Sequence, residues 1–184
     1  MTEAEFVDGF RRSYRAFWLI AHGVVRDREL AEDVLQEAAI AALSKRDRFR
    51  KGTNFQAWIG QFVRHIAMNR ARRERRSRSN SVDPARLEHR RIENDGDSGA
   101  GTETTGERTP TAKFDARLLK ALDDVGDVAR TCLLLRAIEG LEYARIAELL
   151  EIPEGTAMSH VHRTRKFLRE RLSSCMDLIE DNRT

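Results

Sequence analysis

The stretch GLEYARIAELLEIPEGTAMSHVHRTRKFLRE, residues 140–170, holds two amphipathic runs pinched around a proline. Tyr143, Ile146, Ala147 and Leu150 fall at spacings of three and four, which gives a short helix one apolar face, and Ile152 follows in the turn. Pro153 suits the first position of a new helix, because its missing N–H would have had no helical partner there. In that second helix Ala157, Val161, Thr164 and Leu168 share one side and leave Thr156, Ser159, His160 and Arg163 on the other. A short helix, a tight turn and a longer helix with a polar outer face make the helix-turn-helix plan, whose second helix enters the DNA major groove. Arg163, Arg165, Lys166, Arg169 and Arg171 then supply phosphate or base contacts. A helical hairpin with a solvated basic face is the plainer alternative.

A second basic pole lies far upstream in RHIAMNRARRERRSR, residues 64–78, with seven arginines against one acid, Glu74. A solvated helix face mixes signs and this one does not. A dense positive stripe of this kind points to nucleic acid, because each neutralised phosphate releases counterions. Phe49, Phe55, Trp58 and Phe62 lie just before it, most of them at core spacing. Phe49 and Phe55 flank the segment RDRFRKGTN, where Gly52 and Asn54 break the helical period and predict a loop, so these two rings are the candidates to stack on unpaired bases.

Between and around these poles the periodicity is helical, with no candidate strand. Phe6, Phe10, Phe17 and Ala21 form one stripe, Leu30, Val34, Ala38 and Ala41 a second, and Phe55, Trp58, Ile59, Phe62, Val63 and Ile66 a third, with Asp27 as cap of the second helix. From Ser77 the pattern fails: ENDGDSGAGTETTGERTP is rich in Gly, Thr and acid and predicts a flexible, solvated linker. Periodicity returns near Phe114 with Leu118, Leu119 and Leu122. The expected fold is all-α, with two small helical domains over residues 1–76 and 114–176, a flexible acidic linker over 77–113 and a tail over 177–184.

Composition agrees with that plan and excludes several classes. In 184 residues, 34% charged and 7% aromatic side chains leave only modest cores, and the net charge is +3. No apolar run approaches the roughly 18 residues that span a bilayer, and the N-terminus MTEAEFVDGF is acidic and has no signal-peptide core, so no membrane insertion and a cytoplasmic location are expected. Cys132 and Cys175 lack metal or disulfide spacing. His160 and His162, two apart on a helix, point about 200° apart around its axis and do not share a metal ion. No nucleophile–base pair and no phosphate-cradling glycine loop is visible, so no enzyme activity, cofactor, metal or catalytic residue is expected.

Taken in order, AEDVLQEAAIAAL (31–43), DRFRKGTNFQAWIGQFVRHIAMNRARR and LLLRAIEGLEYARIAELLEIPEGTAMSHVHRTRKFLRERL resemble the bacterial group IV, or extracytoplasmic function, sigma factors of RNA polymerase. The likeness covers roughly residues 10–76 and 115–172. It implies a sigma domain two, a linker and a sigma domain four that together let core polymerase recognise and open promoters. AEDVLQE would dock on the clamp helices of the largest polymerase subunit through Asp33, Gln36 and Glu37. The loop and following helix would hold the minus-10 element through Phe49, Arg50, Lys51, Asn54, Phe55, Arg64, His65, Asn69, Arg72 and Arg73. Thr156, Ser159, His160, Arg163, Arg165 and Lys166 would read the minus-35 element. The implied partners are core polymerase at its clamp helices and flap, promoter DNA and an anti-sigma factor, with the chain monomeric on polymerase.

Two elements about two helical turns apart lie roughly 70 Å from each other. A forty-residue coil averages about 35 Å and extends to about 130 Å, so the linker reaches when docking stretches it. Its acids, Glu93, Asp95, Asp97, Glu103 and Glu107, would disfavour nonspecific DNA binding, and the resemblance implies that they could occupy a basic polymerase channel. The chain departs from the family at several positions. Glu151 stands where glycine is usual, Met158 and His160 replace a basic pair, and His65 and Asn69 sit where Asn and Asp are frequent. Two other classes stay open on residues alone. A free-standing helix-turn-helix regulator explains residues 140–171 but not the first 76, and an adaptor that binds polymerase would tolerate a degenerate reader.

Overall fold

A computed structural model describes residues 1–50, 52–80 and 110–180 of the chain. The linker expected over 77–113 falls mostly on residues 81–109, outside the described residues. Three helices form a first unit: α1 (Glu3–Val25), α2 (Arg28–Ser44) and α3 (Phe55–Asn80), with a 3-10 turn over Arg46–Arg48. Four form a second: α4 (Pro110–Asp123), α5 (Asp127–Ala137), α6 (Tyr143–Leu150) and α7 (Glu154–Glu180). No strand occurs among the described residues.

The helix ends follow local chemistry. Thr2 accepts from the Glu5 amide while the Glu5 carboxylate accepts from the Thr2 amide, a capping box that starts α1. Asp27 accepts from the Leu30 amide at 2.8 Å and starts α2. Asn54 accepts from the Ala57 amide at 3.1 Å and starts α3. The third helix continues to Asn80, four residues past the expected boundary, because its arginine-rich end contains no helix breaker. Pro110 opens α4, earlier than the apolar restart at Phe114, in the position where proline is well tolerated. Pro153 lies one residue before α7 and its carbonyl accepts from the Ala157 amide, so it caps that helix instead of occupying its first turn.

In the first unit α1 packs on both α2 and α3, which pack on each other. Phe17, Ile20, Val34, Leu35, Ile59 and Val63 are fully enclosed at its centre. In the second unit α5, α6 and α7 pack together around Cys132, Leu135, Ile146, Leu149 and Val161. The two cores are not separate, as two small domains on a tether would suggest. The C-terminal half of α1 lies along α5 and α3 lies along α6, and the buried side chains of both units form one continuous apolar cluster.

Candidate nucleic-acid interface

The second unit ends in α7, the helix expected to read DNA. Ala157, Val161, Thr164 and Leu168 are buried, as its spacing requires, and they hold the helix against α5 and α6. Ser159, Arg163, Arg165 and Lys166 are exposed on the other side, while Thr156 and His160 are half-buried at its edge. Met158, Ser159, His162 and Arg163 line one shallow depression on the exposed face. Met158 (52% exposed) and His162 therefore share this outer surface, although neither is among the residues expected to read the minus-35 element. The face carries hydroxyl, imidazole, thioether and guanidinium groups, a mixture suited to major-groove edges and thymine methyls.

The turn before α7 is built on Glu151, which adopts a left-handed conformation at φ 51°. The Glu151 amide and the Ile152 amide both donate back to the Ala147 carbonyl, and this closes the helix end. The left-handed geometry that normally favours glycine is thus required here, and glutamate supplies it at a steric cost.

In the first unit the loop ahead of α3 rests on an aromatic wall. The Phe49 ring lies 5.8 Å from that of Phe55 and 5.2 Å from that of Trp58, which in turn meets Phe62 at 5.2 Å. Phe55 also meets Phe6 edge-on and presses against Gly9, where a methyl group would overlap its ring. Phe55 is accordingly a half-buried anchor, and Phe49, packed on Phe55 and Trp58, is half-buried as well. Arg50 is exposed beside it, Gly52 bends the loop at φ 88°, and Lys51 lies outside the described residues.

Helix α3 turns different residues to different neighbours. His65, Arg72 and Arg73 are exposed and Asn69 is half-exposed. Arg70 reaches Glu37 on α2 at 3.3 Å. Arg64, expected at the DNA, instead donates to the Leu150 carbonyl of the second unit, and Asn54 donates to Glu148 at 2.5 Å. These two residues are engaged by the second unit in this arrangement, since α3 lies along α6.

On α2, Asp33, Gln36 and Glu37 are exposed on one face, opposite buried Val34, Leu35 and Ala38. Ile40 continues that face one turn further and is 71% exposed, the most exposed large apolar side chain described. Its spacing from Gln36 and Asp33 could have revealed it. Among the described residues no group of three or more His, Cys, Asp or Glu could hold a metal ion, and no helix is long and apolar enough to cross a membrane.

A helix with a basic outer face in one unit and an arginine-rich helix beside an aromatic loop in the other are features of a helical nucleic-acid-binding protein. The model for sigma-70 region 2 matches residues 10–77, and that for sigma-70, region 4 matches residues 115–168. The chain belongs to the sigma-70 family, in its extracytoplasmic function group, whose members direct core RNA polymerase to promoters. It is 30% identical to the RNA polymerase sigma-H factor of Pseudomonas aeruginosa, over 78% of this chain and 74% of that one. It is 29% identical to the extracytoplasmic function sigma factor SigW of Bacillus subtilis, over 77% and 75%. Among solved structures it resembles the sigma factor RpoE of Bartonella quintana in complex with the anti-sigma factor NepR, with a TM-score of 0.58, 23% identity and coverage of 92% and 97%. CnrH in complex with the cytosolic domain of CnrY aligns with a TM-score of 0.57 at 19% identity, over 96% of this chain and 90% of that one. At those identities the two structures speak to the fold.

Proposed function

We propose that residues 1–76 work as sigma domain two and residues 114–176 as sigma domain four. In this reading Asp33, Gln36 and Glu37 dock on the clamp helices of core polymerase. Phe49 and its loop receive an unstacked minus-10 base, His65, Asn69, Arg72 and Arg73 follow the adjoining duplex, and α7 reads the minus-35 element. The observation that carries the reading is the two-sided α7: its inner face is fully buried and its outer face exposes Ser159, Arg163, Arg165 and Lys166 within the segment matched to region 4. Of the residues expected at the DNA on α3, His65, Arg72 and Arg73 are exposed in a segment matched to region 2. An anti-sigma partner is proposed from the solved structure of RpoE, which is bound to the anti-sigma factor NepR.

Run-off transcription with purified core polymerase on genomic fragments tests the reading. Discrete starts that share two upstream elements, and that disappear in the Asp33→Ala/Gln36→Ala variant or on deletion of residues 153–172, are expected. Tight DNA binding without polymerase and without transcripts would replace it with a stand-alone helix-turn-helix regulator.

A further inference from the structure

Met158 opens the second turn of α7 and, among the described residues, is the one large apolar side chain that this helix leaves exposed. The buried stripe of Ala157, Val161, Thr164 and Leu168 holds the helix without it, and Met158 stands on the shoulder between that stripe and the outer face. Gly155, one turn earlier, is exposed, and a methyl group built on it would meet no atom within 4 Å. His162, one turn later, is exposed as well. At 3.6 residues per turn these three positions fall within about 60° of one another around the axis. Helical side chains lean toward the N-terminus, so the Met158 thioether leans toward the bare turn at Gly155. The result is the shallow depression of Met158, Ser159, His162 and Arg163, with uncovered backbone at its N-terminal rim.

The chemistry of the side chain narrows what this depression can receive. A thioether has no charge and is only a weak acceptor, so Met158 neither neutralises a phosphate nor makes the forked bonds by which arginine holds guanine. What it offers is a flexible, polarisable apolar tip. On the unmodified base edges of the major groove, the one apolar group is the C5 methyl of thymine. In a helix-turn-helix the N-terminal residues of the second helix meet those edges, and Gly155 and Met158 both lie there. Ser159 and His162, in the same depression, carry donors and acceptors that match the N6 and N7 groups of an adenine.

We infer that Met158 is a specificity-determining residue that selects a thymine in the duplex held by α7, by burying the thymine methyl between its thioether and the backbone of Gly155. This rests on the reading of α7 as the minus-35 helix. It commits to a T·A pair at one fixed position of that element, and it makes the choice depend on a methyl group instead of a hydrogen bond. Burial of one methyl group is worth about a fourfold gain in affinity, which sets the size of the preference.

Uracil tests this, because it is thymine without the methyl group. Genomic fragments retained by the full chain, with and without core polymerase, are resynthesised with each thymine of their shared upstream element replaced in turn by uracil, and their affinities are compared. One position is expected to lose about fourfold with the wild type. That loss should vanish in Met158→Ala, return in Met158→Leu, and shrink in Gly155→Ala, which fills the gap that the methyl would occupy. Met158→Ala and Gly155→Ala place the best helix former at exposed positions, so helicity by circular dichroism and capture of core polymerase should match the wild type. No uracil-sensitive position, or one equally sensitive in Met158→Ala, would overturn the assignment. Loss of polymerase capture in Met158→Ala with no effect of uracil would overturn it too, and would place Met158 in a protein contact. The two readings part cleanly. A Met158-dependent uracil effect on fragments retained equally well without polymerase keeps the thymine contact and removes the sigma reading; retention that needs polymerase but ignores uracil does the reverse. Fragments retained under neither condition would overturn both.

Discussion

Single residues set the pH response and part of the proposed docking face. His22 is half-buried on α1, stacks on Trp18 with ring centroids 4.6 Å apart, and lies near Arg130 of α5. Burial first, and then the Arg130 charge, hold its pKa below the usual 6.5, against the opposing pull of Asp27 and Asp123. The folded chain therefore binds fewer protons here than the unfolded one as pH falls through that range. Stability from His22 is fully present above about pH 6.5 and is lost on acidification toward the lowered folded value. Urea midpoints should fall between pH 7.5 and 5.5 in the wild type, and His22→Gln should flatten that change. Ile40 carries the second prediction at this scale. Its exposed position beside Asp33, Gln36 and Glu37 puts an apolar side chain at the centre of the proposed docking face, so Ile40→Glu should weaken capture of core polymerase in a pull-down by about tenfold, or roughly 1.4 kcal/mol, and leave the melting temperature unchanged.

Elements were legible where one physical rule dominated. The stripes of α1 and α3 appeared as apolar spacings and the same residues line or pack against the core, since a helix in water must bury its apolar face, whereas on α2 Val34 and Ala38 are joined in the core by Ala31, Leu35 and Ala42 instead of Leu30 and Ala41. Asp27 was readable as a cap for the same reason: a short acid before a periodic run satisfies an otherwise orphaned amide. Asp27→Ala should cost about 1 kcal/mol in urea unfolding, read as a lower midpoint at constant slope. Helix ends were less visible, because α3 runs on through arginine and serine with no breaker to stop it. The outer face of α7 was partly legible. Ser159 and Arg163 stood out by polarity, whereas Met158, noted only as standing where a basic residue is usual, is placed outside by its angular position.

At the scale of the whole molecule, the seam between the units was invisible to periodicity, because an interface built from Gly23, Gly60, Asn54, Gln56, Gln61 and Arg64 leaves no repeating pattern. The left-handed requirement at Glu151 could be suspected from the glycine expected there, but its bond to Gln61, 90 residues away in sequence, could not. A continuous core has an energetic consequence. Unfolding should be one transition for both units, so that Trp58 emission, which reports the first, and Cys132 thiol reactivity, which reports the second, share a single urea midpoint. Cys132 suits the purpose: it is wholly buried, and burial pushes its pKa up to about 11, so that it reacts only when the second unit opens. Two separate midpoints would show that the units fold independently.

The arrangement of the indoles also gives the chain its own optical readout. It has two tryptophans, one in each of two very different settings. Trp18 stacks on an imidazole whose protonation state answers to Arg130 across the seam, and Trp58 leans on Phe49 at the loop proposed to receive a base. A change in the distance between the units alters quenching of the first, and a nucleobase entering the loop alters the second. Replacing either one by phenylalanine leaves a sensor for the other event, so that movement at the seam and capture of DNA are timed separately in the stopped-flow traces of the two variants, without any attached dye.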